Sequence, residues 1–181
     1  MKLMLSALAF LFALPAVAPK VTPAQQGASA PATYIGVADV QAKLNPSPEA
    51  GVNPQPNIRV VDAGGYNVAV GALHRSQTPP SVAAVHFQVT EIYHVIDGTA
   101  TLVTGGTMVN AKTRPSDSIA VKLEDGPGAS GTAIQGGVSQ RIKAGDVVVI
   151  PAGVPHWFSA IDGSISYLVV RVDASRVLAV K

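Results

Sequence analysis

Two histidines and one glutamate are the residues of this chain best suited to binding a metal ion. His86 and Glu91 have four residues between them, and His156 lies much further along the chain. Two imidazoles and one carboxylate can occupy one face of a divalent ion and leave coordination positions open for water, oxygen or substrate. We therefore expect His86, Glu91 and His156 to bind one divalent metal ion, provided that the fold brings them together.

The residues around His86 and Glu91 predict two neighbouring strands. If residues 87–90 form a tight connection, the two side chains face each other across an antiparallel pair, with Cβ atoms about 5 Å apart. Strand alternation then places Ala84 and Tyr93 on the same interior face. This arrangement would hold two of the three ligands at a good spacing for one ion.

His156 is predicted to reach the same place through two turns. Residues 145–146 form the first turn and residues 151–153 the second, so that His156 opens a strand. Antiparallel neighbours can then bring it opposite the first two ligands. Its strand neighbours Phe158 and Ala160 would line the same cavity.

Four further side chains could take part in the chemistry. His74 ends a predicted strand and could enter the pocket as an additional ligand, and the amide oxygen of Gln88 is a weaker candidate. Alternation turns His94 away from Glu91, which favours packing or a surface position over coordination. Tyr93 is our candidate catalytic residue, as a general acid near the ion; a core tyrosine with a satisfied hydroxyl is the ordinary alternative.

The composition favours one β-rich domain. The chain has 181 residues, of which 48% are apolar and 13% charged, and its 17 glycines and 14 prolines divide it into short pieces. Glycine and proline at these frequent intervals favour many short strands over a helix bundle. Thirteen basic and eleven acidic residues nearly balance, which argues against nucleic acid as a partner. The absence of cysteine excludes disulfides and thiolate metal sites.

The N-terminus predicts an exported protein. Lys2 is followed by an apolar run, which ends at Pro15 and a small-residue segment, as in a cleaved signal peptide at residues 1–18. The apolar run is shorter than the ~20 residues of a membrane-spanning helix. We expect a periplasmic or secreted product without a membrane partner after signal removal, with a flexible leader at 19–57 and a barrel domain at 58–175.

The rest of the chain is predicted to be all-β after a short N-terminal helix. Asp39 can cap a helix near 38–44 that presents Val40 and Leu44 on one side. About nine strands follow, at 58–61, 66–74, 83–88, 92–96, 99–104, 139–142, 147–150, 156–160 and 164–172, with another near 119–123. Residues 97–98, Asp-Gly, predict a hairpin turn. The pattern indicates an antiparallel sandwich or barrel.

The first ligand segment resembles the first motif of the cupin superfamily. That motif has His-x-His, then Glu, then Gly, and Ala84, His86, Glu91 and Gly98 fall at the same intervals. Ala84 stands where the family has its first histidine, and no glycine opens the motif at the usual distance. The usual set of three histidines and one glutamate is thereby reduced.

The second ligand segment resembles the second cupin motif. Gly145, Pro151, Gly153 and His156 match its Gly, Pro-x-Gly and His positions, whereas Ala160 stands where the family often has Asn. The resemblance covers roughly residues 66–172. It implies a double-stranded β-helix, the jelly-roll barrel, with a metal site built from His86, Glu91 and His156.

The resemblance implies a choice of functions. A metal cupin enzyme would act on a small organic substrate in the barrel, by dioxygenase chemistry with iron or manganese, or by lyase or isomerase chemistry with zinc, nickel or manganese. The reduced ligand set leaves open a non-catalytic protein that binds a small ligand. A storage-type barrel is a third reading. Cupin-like barrels commonly pair, so we also expect a homodimer, with the apolar run at 167–170 either at its interface or in the core.

Overall fold

The computed structural model of the protein describes residues 31–45, 57–77 and 82–181. The predicted signal peptide and most of the predicted leader lie outside the described residues. Residues 33–181 form one compact unit. In the described part of the chain, no helix is long and apolar enough to cross a membrane.

The described elements are one short α-helix, eleven strands and one turn of π-helix. The helix α1 is Val37–Leu44, and the π-helical turn is Ala120–Glu124. The strands are β1 (Asn57–Asp62), β2 (Asn67–Ser76), β3 (Ala83–His86), β4 (Val89–Thr104), β5 (Thr107–Val109), β6 (Lys112–Thr113), β7 (Gly128–Gly131), β8 (Ala133–Gln135), β9 (Val138–Lys143), β10 (Val147–Ile150) and β11 (His156–Asp173).

All strand pairs are antiparallel, and β11 lies at the centre of the larger sheet. It pairs with β2, β3 and β4, while β4 also pairs with β9 and β10. β3 continues through β7 to β6, and β5 and β8 form a separate two-stranded sheet. This mostly β, antiparallel architecture confirms the predicted all-β jelly-roll class.

Two long strands bend together where the sequence predicted a hairpin turn. β4 runs through Asp97 and Gly98 without reversing, so the hairpin prediction is wrong. Gly98 has φ +83°, and the paired register between β4 and β11 shifts between Ile161 and Ile165. A Cβ on Gly98 would lie 2.1 Å from the carbonyl oxygen of Ser164. Glycine is therefore used here to let two bending strands approach closely, not to close a turn.

The strand predicted near 119–123 is also wrong. The region forms the π-helical turn Ala120–Glu124, preceded by Ser118. The backbone carbonyl of Ser118 accepts a hydrogen bond from Lys122 N, and its hydroxyl accepts one from Val121 N at 3.4 Å. A serine that can satisfy the first backbone donors of a helical turn outweighs the β preference of two neighbouring apolar residues.

The helix α1 packs as its apolar residues predicted. Leu44 and Val40 contact a small cluster that includes Ile58 of β1 and Ala72 of β2. Asp39 has a different role from the one expected: Gly36 is the N-cap residue, and Asp39 accepts a hydrogen bond from Gly36 N at 3.2 Å. The Asp39 carboxylate still stabilises the start of the helix, but it does so from the first turn and not from the N-cap position.

The main core lies inside the barrel, against the cavity described below. It combines residues of β4, β9, β10 and β11, namely Tyr93, Val95, Ala100, Leu102, Ile142, Ile150, Phe158, Ile161, Ile165, Tyr167 and Val169. Tyr167 and Val169 are buried here, in a strand with neighbours on both sides. The apolar run at 167–170 therefore contributes to the core.

Candidate metal centre

The three candidate ligands lie at strand ends that meet inside the barrel. His86 is the last residue of β3, Glu91 is near the start of β4, and His156 opens β11. His156 pairs with Ala84 of β3. The turn before His156 is fastened to the other two segments, because Gly153 N donates to the carbonyl of His86 at 2.7 Å and Ala152 N donates to Thr90 Oγ1 at 3.1 Å.

The predicted hairpin between His86 and Glu91 is wrong, although the two side chains do meet. β3 pairs with β7 and β11, and β4 pairs with β9, β10 and β11. Residues 87–88 connect β3 to β4, and these two strands do not pair with each other. The side chains of His86 and Glu91 therefore converge across the barrel interior instead of as a cross-strand pair.

The ligand atoms of the three residues face one another. Glu91 Oε2 lies 3.4 Å from His86 Nε2 and 3.3 Å from His156 Nε2. All three ligand atoms lie within 4.8 Å of one another, and all three residues are buried. Two imidazole nitrogens and one carboxylate oxygen around one point form a donor set suited to a divalent transition metal.

The protonation states of Glu91 and His156 suit metal binding at neutral pH. Burial raises the pKa of Glu91, but the charge of Arg171 and then His86 outweigh it, so that the pKa is well below its usual value. Burial lowers the pKa of His156 to about 4, against the opposing attraction of Glu91. A carboxylate and a neutral imidazole are the forms that bind metals.

The two imidazoles are held differently at their other nitrogen. His156 Nδ1 lies 3.2 Å from the carbonyl oxygen of Val154, which favours a proton on Nδ1 and leaves Nε2 with a free lone pair. His86 Nδ1 lies 3.4 Å from Nη1 of Arg114, a group that can only donate. This second contact favours a proton on His86 Nε2, so metal binding at His86 requires the other tautomer. At 3.4 Å the contact is long for a hydrogen bond and opposes that change weakly.

Tyr93 lies beside the three ligand atoms, as predicted. Its hydroxyl donates to Glu91 Oε2 at 2.7 Å. Burial, and then the charge of Glu91, raise the pKa of Tyr93 well above its usual value. The phenol therefore keeps its proton at neutral pH and points it at the oxygen that faces both imidazoles.

Sequence reasoning missed the buried arginine that holds Glu91. Arg171 Nε donates to Glu91 Oε1 at 2.8 Å, its Nη2 lies 2.9 Å from Asp125 Oδ1, and its Nη1 donates to Asn57 Oδ1 at 2.5 Å. Arg171 is only 3% exposed. Oε1 faces Arg171, whereas Oε2 faces both imidazole Nε2 atoms and also accepts from Tyr93, so Oε2 is the oxygen placed to bind an ion. One pattern could have revealed Arg171: it is a charged residue at an inward position of an otherwise apolar strand.

The ligands open onto a cavity of about 290 Å³. Its wall includes Ala84 and Phe158, as predicted, and also Arg75, Arg114, Trp157 and Tyr167. Ala160 is exposed, contrary to expectation, because the register between β11 and β4 shifts between Phe158 and Ala160 and reverses the alternation.

The other candidate ligands lie outside the group of three. His74 borders the cavity, but its ring is exposed and its Nδ1 lies 2.9 Å from Ser166 Oγ. His94 is exposed on the outer face, as alternation predicted, and Gln88 is exposed in the connection after β3. Of the described residues, only His86, Glu91 and His156 form a group of at least three metal-ligating side chains.

Comparison with known proteins gives one family. Residues 44–177, more than half of the chain, match the family model described as Cupin. None of the curated protein sequences compared with the chain matches it.

Several solved structures are similar to the chain at a low level. The EutQ protein of Clostridium difficile is 17% identical with a TM-score of 0.35, covering 60% of this chain and 58% of that one. An oxalate oxidase is 23% identical with a TM-score of 0.36, covering 62% and 44%. A Bacillus halodurans protein is 10% identical with a TM-score of 0.43, covering 82% and 91%. The chain thus spans less than two thirds of the EutQ and oxalate oxidase chains, and these likenesses are too distant to assign an activity.

Proposed function

Because the chain belongs to the cupin family, we propose that it is a metal-dependent enzyme that acts on a small organic molecule in its barrel. His86, Glu91 and His156 would hold one divalent ion. The observation that carries the proposal is the convergence of two Nε2 atoms on Glu91 Oε2, at 3.4 and 3.3 Å. Such a set leaves coordination positions open on the cavity side.

The ion, when bound, would polarise an oxygen atom of the substrate. Iron or manganese would suit dioxygenase chemistry, and zinc, nickel or manganese would suit lyase or isomerase chemistry. The protein's own contributions are orientation and proton control. Arg171 donates to Glu91 Oε1, and the Tyr93 hydroxyl, whose oxygen lies 2.7 Å from Oε2, donates its proton to that atom. We propose Tyr93 as the group that donates this proton at the reacting centre.

Metal analysis tests the proposal. Protein purified from its own compartment should contain about one equivalent of iron, manganese, zinc or nickel by elemental analysis. His86→Ala and Glu91→Ala should lose that metal, and His94→Ala, which removes an exposed imidazole from the same sheet, should retain it. Equal metal content in all four proteins would contradict the assignment of the ligands.

A metal-free protein that binds a small ligand is the second candidate. It is favoured by the contact between Arg114 and His86 Nδ1, since the resulting tautomer turns a proton from His86 Nε2 toward Glu91. Under this alternative, the three residues form a hydrogen-bonded group beside the ligand cavity. A protein that is isolated without metal and whose thermal unfolding is unaffected by added iron, manganese, zinc or nickel would support it.

We also propose that the protein is exported. The proposal is supported by the composition of residues 1–18, with Lys2, an apolar run and a small-residue segment before Pro19. N-terminal sequencing of the protein recovered from periplasm or medium should begin after this segment. An intact Met1 on protein recovered only from the cytoplasm would contradict export.

A homodimer is proposed on the outer face of the barrel. Val147 and Val149 of β10 are each 61% exposed, and Ile96 of β4 is exposed as well. Exposed apolar side chains grouped on one sheet face favour association between copies. Light scattering should give twice the mass of the chain, and Val149→Lys should shift the protein to monomer. A monomeric wild-type protein would contradict the proposal.

A further inference from the structure

The cavity wall carries one arginine that forms no ion pair with any described residue. Arg75 of β2 borders the cavity, and its Nε donates to the hydroxyl of Tyr167 at 2.8 Å. Its guanidinium also lies 5.8 Å from the ring centroid of Phe158. Within the described ranges, no carboxylate lies at ion-pair distance from Arg75.

The other two arginines of the wall differ in this respect. Arg171 is paired with Glu91 and Asp125, and Arg114 is paired with Asp125 at 3.3 Å. Arg75 is half-buried, and a cation that is partly removed from water is costly unless a counter-ion faces it, which a neutral phenol does not supply. Unlike Arg114 and Arg171, Arg75 therefore does not serve as the cation of an ion pair within the described residues.

The contacts of Arg75 hold it in position for a ligand. The Tyr167 hydroxyl accepts from Nε alone, and the Phe158 ring lies beside the guanidinium. No described residue accepts a hydrogen bond from the two terminal nitrogens, which can therefore donate to a ligand. A fixed guanidinium with paired donors matches a carboxylate, which it can bind through both oxygens.

The same aromatic residues connect Arg75 to the candidate metal ligands. The ring of Tyr167 lies 4.6 Å from the ring of Tyr93, and the Tyr93 hydroxyl contacts Glu91. Arg75 and the ligand group are thus separated by about two packed rings on one cavity wall. A cavity of about 290 Å³ lies just below the usual range of ligand sites, about 300–1,000 Å³, and therefore suits a small ligand.

We propose that the cavity binds a small organic acid and that Arg75 is the residue that holds its carboxylate. The rest of the ligand would lie against Phe158, Trp157 and Leu73 and extend toward His86 and His156. The proposal deepens the proposed function and rests on it for the location of the ligand. The contact with Arg75 itself does not require the metal.

The test compares acids with their neutral amides. Succinate and benzoate, with succinamide and benzamide as matched neutral probes, are titrated calorimetrically at constant ionic strength into metal-free and metal-loaded protein. The acids should bind roughly 10- to 100-fold more tightly than the amides in both forms, because charge-assisted hydrogen bonds to Arg75 are lost with an amide. Equal affinity for acids and amides, or no binding of either acid, would overturn the proposal.

Variants separate Arg75 from the other positive charges. Arg75→Met should bring acids and amides to within a few-fold of each other, and Arg75→Lys should retain part of the preference. Arg141→Met is the control, since Arg141 is exposed on β9 and pairs with Asp162 outside the cavity. If Arg75→Met does not fold by circular dichroism, the Arg75→Lys variant and the comparison of acids with amides on the wild-type protein decide the matter.

The metal-free arm distinguishes this inference from the proposed function. A preference for acids that persists without metal and is lost in Arg75→Met supports the role of Arg75 even if no metal binds natively. A preference that appears only in the metal-loaded protein and survives in Arg75→Met would assign the acid to the ion and overturn the role of Arg75.

Discussion

At the scale of single residues, the site depends on a buried arginine that neutralises its acids. Arg171 contacts Glu91 and Asp125; Arg171 and Glu91 are buried, and Asp125 is half-buried. Burial of a charge is tolerated only when partners of opposite charge and hydrogen bonds replace water. Arg171 therefore determines both the stability of the barrel interior and the orientation of the Glu91 carboxylate.

Replacing Arg171 should cost much more than replacing a surface arginine. Arg171→Met leaves the buried Glu91 carboxylate without its cation, whereas the half-buried Asp125 keeps its pairing with Arg114, and we expect a loss of about 3–5 kcal/mol in the free energy of unfolding. Arg141→Met, at an exposed pair with Asp162, should change it by less than about 1 kcal/mol. Urea denaturation of the metal-free proteins measures both. Similar losses for the two variants would contradict the structural role of Arg171.

The metal-free protein should lose stability in mild acid because of His156. Its pKa is about 4 in the folded protein, against an ordinary value of 6.5. Between pH 4 and pH 6.5, His156 is protonated in the unfolded chain and neutral in the folded protein. The contribution of neutral His156 to the free energy of unfolding is therefore complete above about pH 6.5. It is lost as the pH falls toward 4, and the total loss is about 3 kcal/mol.

Urea denaturation across that pH range measures the effect. The carboxylate of Glu91 should stay ionised through the window, because its folded pKa is well below the usual value. His156→Gln removes the titrating group and should flatten the pH dependence. An unchanged slope in His156→Gln would show that another group is responsible.

The residues of the site were predictable to different degrees. His86, Glu91 and His156 could be identified because their spacing within two short segments carries the pattern. Asp125 could not, since it lies in a loop whose path depends on the rest of the fold. Arg171 was not identified as a residue of the site, although strand alternation in β11 predicts that it points inward.

At the scale of elements, the barrel depends on two strands that bend together. β4 and β11 each cross from one sheet region to the next, and Gly98 allows β4 to approach β11 at the bend. Periodicity identified the apolar runs on both sides of this bend. It could not distinguish a bend from a turn, because both use Asp-Gly with a positive φ.

Gly98 and Gly163 offer a matched test of this bend. Both have positive φ, at +83° and +73°, but only at Gly98 would a Cβ meet backbone atoms, at 2.1 Å from Ser164 O. Gly163→Ala should cost about 1–2 kcal/mol from backbone strain alone. Gly98→Ala should cost more than about 4 kcal/mol, because the two strands must also separate. Thermal unfolding of the two variants compares them, and equal losses would contradict the close approach.

At the scale of the whole molecule, metal binding and folding should be linked. The ligands come from β3, β4 and β11, so the complete site exists only in the folded barrel. A ligand that binds only the folded state stabilises it by about 2.7 kcal/mol at one hundred times its Kd. For a domain of this size, the corresponding increase in Tm is about 5–10 °C.

Thermal unfolding with added metal measures this linkage. Wild-type protein should respond to at least one of iron, manganese, zinc and nickel, and His86→Ala should respond to none. His94→Ala, with its exposed imidazole removed, should behave as the wild type does. A response in His86→Ala equal to that of the wild type would place the metal elsewhere.

Binding of a metal ion by His86, Glu91 and His156 is tested most directly by anomalous diffraction from crystals loaded with manganese or zinc. One strong anomalous peak is expected in the barrel, within about 2.0–2.2 Å of His86 Nε2, His156 Nε2 and Glu91 Oε2. Crystals with no anomalous peak at these three atoms, although the metal was present in excess, would contradict it.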